Sequence, residues 1–396
     1  MKLRTLNDID LKGKSVLLRL DLNVPLQDGK ITDDTRIKAS LPTIRAILEQ
    51  TNKLVIMSHL GRPKGKVDPA YSLEPVGARL AELLEKDVVF VEDYISEPLS
   101  QVVGQLDHNQ FVLLENLRFH AGETSNDANF ARTLADGFDV YVNDAFGTLH
   151  RAHASVVGVP ELMKEGSRAA GLLVEKEINE LSYLQKNPKA PFSVILGGSK
   201  VSDKIGVILN LLNHCNTIMI GGAMAYTFLK YKGHEVGLSR VEEDKMDLVE
   251  TIYRNAASRK VNIVLPEDHI AAGSFSEDAE PVELTNANIP PTLMGLDIGP
   301  RTVSRFRSII DQSETVLWNG PMGVFEWDAF AKGSLDIAHC LAENRGYTLV
   351  GGGDSVAAIN KAGVADKISH VSTGGGASLE FLEGKTLPGV RMLTFS

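Results

Sequence analysis

Short apolar runs rich in Val, Ile and Leu alternate along this chain with longer stretches in which apolar residues recur every three or four positions. A strand buried in a parallel sheet reads as a near-continuous apolar run, and an amphipathic helix as a stripe of period 3.6. The alternation therefore predicts βα units wound around parallel sheets. Expected strands are 16–20, 54–57, 88–91, 111–114 and 140–142 in the first half, and 194–196, 217–220, 263–265, 315–318, 348–350 and 370–372 in the second. Amphipathic stretches over 36–49, 72–84, 203–212, 242–257, 332–343 and 355–361 are the expected helices. Between the halves, residues 167–192 set Leu173, Val174, Ile178, Leu181 and Leu184 at helical spacing among charges and stop at Asn187-Pro188, which terminates a helix. That stretch reads as a helix joining two domains. Taken alone it equally suits a surface helix of a single domain.

Length favours the first reading, because 396 residues exceed what one hydrophobic core ordinarily supports. The formal net charge of −10 argues against nucleic acid or an anionic membrane as the main partner. Against that acidic background a local group of arginines marks a site. The two cysteines, Cys215 and Cys340, sit in apolar surroundings without metal-ligand spacing, as expected of inert thiols in a reducing compartment. No run approaches the roughly 18 apolar residues of a membrane span, and the first residues carry no apolar signal core. The expected address is the cytoplasm.

The unusual residues follow the expected strands. In open parallel sheets ligands bind beyond the carboxyl ends of the strands, so each half presents one functional edge, and two facing edges would make a cleft. In the first half Asp21, Asn23, His59, Arg62 and Arg118 hold such positions, with Arg36 opening a helix and Asp144 leading towards His150, Arg151 and His153. Clustered guanidinium groups with an imidazole suit a small carboxylate or phosphate, and Asp21 and Asn23 suit a hydroxyl. Arg19-Leu-Asp21-Leu-Asn23 alone reads more readily as a strand-ending turn, and the HxxH spacing of His150 and His153 lacks the partners of a zinc helix.

In the second half the strand ends carry glycines: Gly197-Gly198, Gly221-Gly222, Gly351 to Gly353 and Gly374 to Gly376. Glycine lets backbone N–H groups approach phosphate, and helix starts present free N–H groups and partial positive charge. Lys200 and Lys204 are four apart, so on a helix they would share a face. Asp354 is placed to hold a phosphate-bound Mg²⁺, and Asn319 with Glu326 could hold a ribose. There is no Walker A motif and no GxGxxG fingerprint.

The segments RLDLNVP, SHLGRPKG, LLENLRFH, NDAFGTLHRAH, LGGSKVSDK, WNGPMGVFE, GGGDS and STGGGASLEFLEGKTLPG resemble the motifs of the phosphoglycerate kinase family, in that family's order and over nearly the whole chain. Leu149 departs from the pattern, standing where a small residue is usual. The resemblance implies an α/β protein of two doubly wound parallel-sheet domains with a central cleft. Its expected parts are a phosphoglycerate-binding domain over 1–170, an interdomain helix over 171–187 and a nucleotide-binding domain over 188–386, with the tail 387–396 packing back on the first. It implies a monomeric, hinge-bending glycolytic kinase that moves a phosphoryl group between 1,3-bisphosphoglycerate and MgADP, giving 3-phosphoglycerate and MgATP. By position, Asp21, Asn23, Arg36, His59, Arg62, Arg118 and Arg151 would hold the phosphoglycerate. Lys204, Gly221, Gly222, Asn319, Glu326, Gly353, Asp354, Ser355 and Val356 would hold the nucleotide, with Asp354 serving Mg²⁺. Arg36, Lys200, Gly353 and Gly376 would act on the transferring group.

Such chemistry needs no general base, because the accepting carboxylate, with a pKa of about 4, is already ionised at neutral pH. Other readings remain open on the residues alone: an acyl-phosphate kinase for another carboxylic acid, a non-catalytic nucleotide-binding regulator, or a nicotinamide oxidoreductase, against which the missing GxGxxG counts.

Overall fold

The protein was analysed as a computed structural model describing residues 2–96 and 98–395, and its chain divides into two units. Unit 1 takes the described residues through Asn179 and those from Thr386 onward; unit 2 is Glu180–Lys385. The helix Leu172–Lys186 passes from one to the other.

Unit 1 contains strands β1 (Val16–Arg19), β2 (Leu26–Gln27), β3 (Lys30–Ile31), β4 (Leu54–Met57), β5 (Asp87–Val91), β6 (Gln110–Leu114), β7 (Val140–Asn143) and β8 (Arg168–Ala170). β2 and β3 form a small hairpin; the others make one parallel sheet in the order β5-β6-β4-β1-β7-β8. β1, β4 and β7 are buried at every position, which is why they read as unbroken apolar runs. Ile37, Leu41, Ile44 and Ile47, one face of the helix Thr35–Leu48, join Val16, Leu18, Leu54 and Ile56 in the core.

Unit 2 continues with β9 (Phe192–Leu196), β10 (Thr217–Ile220), β11 (Asn262–Val264), β12 (His269–Ala272), β13 (Val282–Leu284), β14 (Met294–Ile298), β15 (Thr315–Asn319), β16 (Tyr347–Gly351) and β17 (His370–Val371). Its parallel sheet runs β11-β10-β9-β15-β16-β17, so chain order reverses direction between β9 and β15. At such a reversal the flanking connections leave to opposite faces and open a crevice beyond the strand ends. Trp318 and Phe306 are fully buried in this unit's core.

Each expected strand has a counterpart, but other features escaped sequence reading, among them the β2–β3 hairpin and the helices Met224–Tyr231 and Pro300–Asp311. β8 is three residues, Arg-Ala-Ala, too short and too weakly apolar to register. The antiparallel sheet β13-β12-β14 pairs short strands with mixed burial, so neither a run nor an alternation stands out. The helix Leu172–Lys186 lacks a polar cap of its own; buried Asp144, distant in sequence, accepts the N–H of Leu173 at 2.8 Å and of Val174 at 3.0 Å through Oδ1. Burial raises the Asp144 carboxyl to about 6.

The tail returns to unit 1. Leu3 and Thr394 form an antiparallel bridge, the Arg4 N–H donates to the Leu393 carbonyl at 2.7 Å, and the Arg4 guanidinium lies 4.3 Å from the centre of the Phe395 ring. Leu149 is fully buried, and a Cβ on Gly389 would lie 2.6 Å from its Cδ2. The large residue at 149 is thus accommodated by the absence of a side chain at 389. Gly389→Ala is expected to destabilise unit 1, and much less so in a Leu149→Ala background, which itself costs about 2–5 kcal/mol. Urea denaturation of the four proteins checks this, and strictly additive losses would contradict it.

Candidate functional site

In unit 1 the cationic residues named from sequence collect beyond the ends of β1, β4, β6 and β7. Asp21 follows β1 and accepts from Arg36 Nη1 at 2.8 Å, the arginine being held on the first turn of its helix. Asn23 accepts the Gly61 N–H at 2.8 Å, and Arg118 Nη1 donates to the Gly61 carbonyl at 2.8 Å. The loop after β4 is therefore gripped on both sides of one peptide-rich turn, which sets His59 and Arg62. Gly61 has φ +59°, and a Cβ there would lie 2.3 Å from the Tyr71 ring.

Electrostatics confirm the proximity. His59 is pushed well below the usual imidazole range, first by burial and then by Arg19, Arg118, Arg36 and His153. Arg118 falls to about 10 through burial and the nearby Arg19, with Glu123 and Asp21 opposing and Arg62 adding to the fall. His153 falls to about 4 through burial, Arg118, Arg19, Arg151 and His150. Arg36, His59, Arg62, Arg118 and Arg151 thus lie near one another, with Asp21 joined through Arg36 and Asn23 through Gly61. Arg118 Nε is buried with no partner, as expected of a donor awaiting an anion.

Sequence reading passed over Arg19 and Glu123, both with fully buried side chains, 4.0 Å apart. The available signal was a lone arginine ending a strand of otherwise apolar residues, since a charge is rarely fully buried without a partner.

In unit 2 the crevice between β9 and β15 opens onto two adjoining cavities. One, of about 280 Å³, is lined by Lys200, Asp203, Lys204, Asn319, Gly353 and Asp354 among others. Lys204 Nζ donates to Asn319 Oδ1, whose own Nδ2 donates to the Gly351 carbonyl at 2.8 Å. Burial lowers Lys204 to about 8 in spite of Asp203 and Asp354. Ser355 is fully buried, and its hydroxyl accepts the Gly320 N–H at 2.6 Å. The second cavity, of about 520 Å³, has a mainly apolar wall including Tyr226, Leu238, Phe275, Met294 and Leu296, with Glu326 and Asp354 at its edge.

The glycines divide into two groups. The N–H groups of Gly197, Gly221 and Gly222 are bonded to the carbonyls of Asn319, Leu196 and Met322. Those residues serve close packing: a Cβ on Gly197 would lie 1.9 Å from the Pro321 carbonyl oxygen, and one on Gly221 2.4 Å from Met322 Sδ. Gly353 differs, since it opens the helix Gly353–Lys361 and a Cβ there would meet nothing. Gly376 opens the helix Gly376–Leu382, whose Leu379 lines the smaller cavity, while Val356 packs on the core.

Among the described residues no group of three or more His, Cys, Asp or Glu could hold a metal by itself. Asp354 and Asp203 share the smaller cavity with two lysines, a set suited to a cation that arrives on phosphate. Among the described residues no helix is long and apolar enough to cross a membrane.

Comparison with known proteins gives the chain's family. The family model described as "Phosphoglycerate kinase" matches residues 6–385. A phosphoglycerate kinase of Prosthecochloris aestuarii is 51% identical over 397 residues, covering 99% of this chain and 100% of that one. One from Clostridium tetani is 48% identical, covering 98% and 97%. The solved phosphoglycerate kinase of Coxiella burnetii superposes with a TM-score of 0.89 at 39% identity, covering 99% of this chain and 98% of that one. That of Pyrococcus horikoshii gives 0.84 at 34%, with 98% of each chain covered.

The depressed His153 has a measurable sign. Its folded pKa of about 4 lies below the ordinary 6.5, so the folded state binds fewer protons between those values. Stability from this group is complete above pH 6.5 and falls as pH drops towards 4, by at most about 3 kcal/mol. Denaturation at several pH values should show this slope in the wild type and a shallower one in His153→Gln. An equal slope in both would refute it.

Proposed function

The chain belongs to the phosphoglycerate kinase family and transfers phosphate to a carboxyl group, and from this we propose how its residues divide the work. 3-Phosphoglycerate binds in unit 1, with Arg62, Arg118 and Arg151 neutralising its phosphate and carboxylate, His59 donating a hydrogen bond, and Asp21 and Asn23 meeting its hydroxyl. ADP or ATP binds in unit 2, its nucleoside against the apolar wall beside Glu326 and its phosphates at Lys200, Lys204, Asn319 and the Gly353 helix start. Mg²⁺ carried on the nucleotide would be met by Asp354 and would neutralise phosphate charge there.

The observation that carries this reading is the contrast between the halves: guanidinium groups around unpartnered Arg118 Nε in one unit, and a lysine-bearing cavity beside an apolar one in the other. Phosphoryl transfer to an ionised carboxylate needs alignment and charge stabilisation, without proton abstraction. Arg36, which Asp21 orients, and Lys200 answer charge on the transferring oxygens, and the helix starts at Gly353 and Gly376 add N–H donors. The reactants meet when the two units approach, which also excludes water from the acyl phosphate. We further place the protein in the cytoplasm as a monomer, with Cys215 and Cys340 buried and their thiols pushed up to about 12 and about 11 by burial.

Arg36→Ala is expected to lower kcat by about two or more orders of magnitude while changing nucleotide affinity little, as for a group acting mainly in the transition state. A coupled assay and nucleotide titration check both; a near-normal kcat would overturn the role. Lys204, at about 8 in the free protein, should be driven fully to its protonated form by bound phosphate. Calorimetry at pH 8 in buffers of different ionisation enthalpy should therefore show proton uptake on binding ADP, and none in Lys204→Gln.

A further inference from the structure

The deepest charged group of unit 1 lies behind its anion cluster. Arg19, the last residue of β1, is fully buried, and a guanidinium keeps its charge there. Nε donates to Ser155 Oγ at 2.8 Å, Nη1 to the Leu20 carbonyl, and Nη2 to His59 Nδ1 at 3.1 Å. The opposing charge is Glu123, whose Oε1 is 4.0 Å from Nη2. Ser155 joins the two: its hydroxyl donates to Glu123 Oε1 at 2.7 Å while accepting from Arg19, and its backbone N–H donates to Oε2 at 3.0 Å. Three other stretches of chain, together with the neighbouring Leu20 carbonyl, hold this guanidinium in one orientation.

That orientation dictates the chemistry of His59. Arginine can only donate, so Nδ1 must offer its lone pair and the ring proton resides on Nε2. Protonating Nδ1 would break the contact and set two positive charges side by side away from water. The groups facing the ring are three arginines, Arg19 from β1, Arg36 from the helix Thr35–Leu48 and Arg118 after β6, and His153 after β7, itself neutral above about pH 4. The nearby carboxylates are engaged elsewhere, Asp21 with Arg36 and Glu123 with Ser155.

We propose that Arg19 is a positioning residue that locks His59 in its neutral Nε2–H tautomer, so that His59 gives the phosphoglycerate one uncharged hydrogen-bond donor of fixed direction while the surrounding arginines supply the charge. The proposal rests on placing that substrate in unit 1. Without the lock, a neutral imidazole could turn a lone pair towards the anion, or titrate in the range where the enzyme works.

Long-range ¹H–¹⁵N spectra of the intact protein, with His59 assigned by the loss of its signals in His59→Gln, test the lock directly. One neutral tautomer protonated at Nε2 is expected from about pH 5.5 to about pH 8. Protonation at Nδ1, or a titration near the ordinary histidine value, overturns the proposal. Arg19→Met combined with Glu123→Gln, which avoids stranding a buried carboxylate, should raise KM for 3-phosphoglycerate about tenfold and leave KM for ATP within about twofold. It should also introduce a pH dependence of the 3-phosphoglycerate KM near neutrality as His59 begins to titrate. An unchanged tautomer and a flat profile in that variant overturn the role of Arg19. If the variant does not fold, the wild-type spectra decide alone. Wild-type signals with the expected tautomer that ignore saturating 3-phosphoglycerate overturn the proposal through the substrate's placement, and a wrong tautomer overturns it through Arg19.

Discussion

Positive charge gathered in one place must be answered, and in unit 1 the answering groups are built into the fold at different depths. Arg36 is paired with Asp21 at the surface, Arg118 leans on a backbone carbonyl, and Arg19 is opposed by Glu123 with no access to water. Removing Glu123 would leave the buried Arg19 uncompensated, at a cost of several kcal/mol. The cluster is still short of negative charge, as the depressed histidines and the orphaned Arg118 Nε indicate. Under the proposed function an anionic ligand supplies what is lacking.

The anion site proposed for unit 2 is built another way. Where its sheet order reverses, the turns after β9 and β15 touch backbone to backbone, Gly197 donating to the Asn319 carbonyl at 3.0 Å. Side chains are excluded from that contact, so Lys200 and Lys204 stand at the rim, and Lys204 is steadied by Asn319. Each unit thus uses the carboxyl edge of its own sheet differently: in one, side chains crowd together; in the other, their absence lets main chain come close.

Most of this was legible in the sequence because burial in a parallel sheet leaves an unbroken apolar run, and strand ends then point to the loops that matter. The runs at β1, β4 and β9 carried the sheet, and the arginines after β4 and β6 led to the cluster in unit 1. What stayed hidden depends on partners far apart in the chain. Asp144 caps a helix that begins 28 residues later, at Leu172. Glu123 faces Arg19 across 104 positions. Gly221 looks like a phosphate-approaching glycine until its N–H is found bonded to Leu196. Periodicity reports which face of an element is buried; it does not report what meets that face.

The return of the tail to unit 1 has a consequence for synthesis. Unit 2 is threaded between two parts of unit 1, whose last contacts, such as Gly389 with Leu149 and Leu393 with Arg4, lie beyond Lys385. On the ribosome the later unit therefore emerges whole while the earlier one still lacks its closing residues. The half whose translation starts first is thus completed only by residues made after the other half.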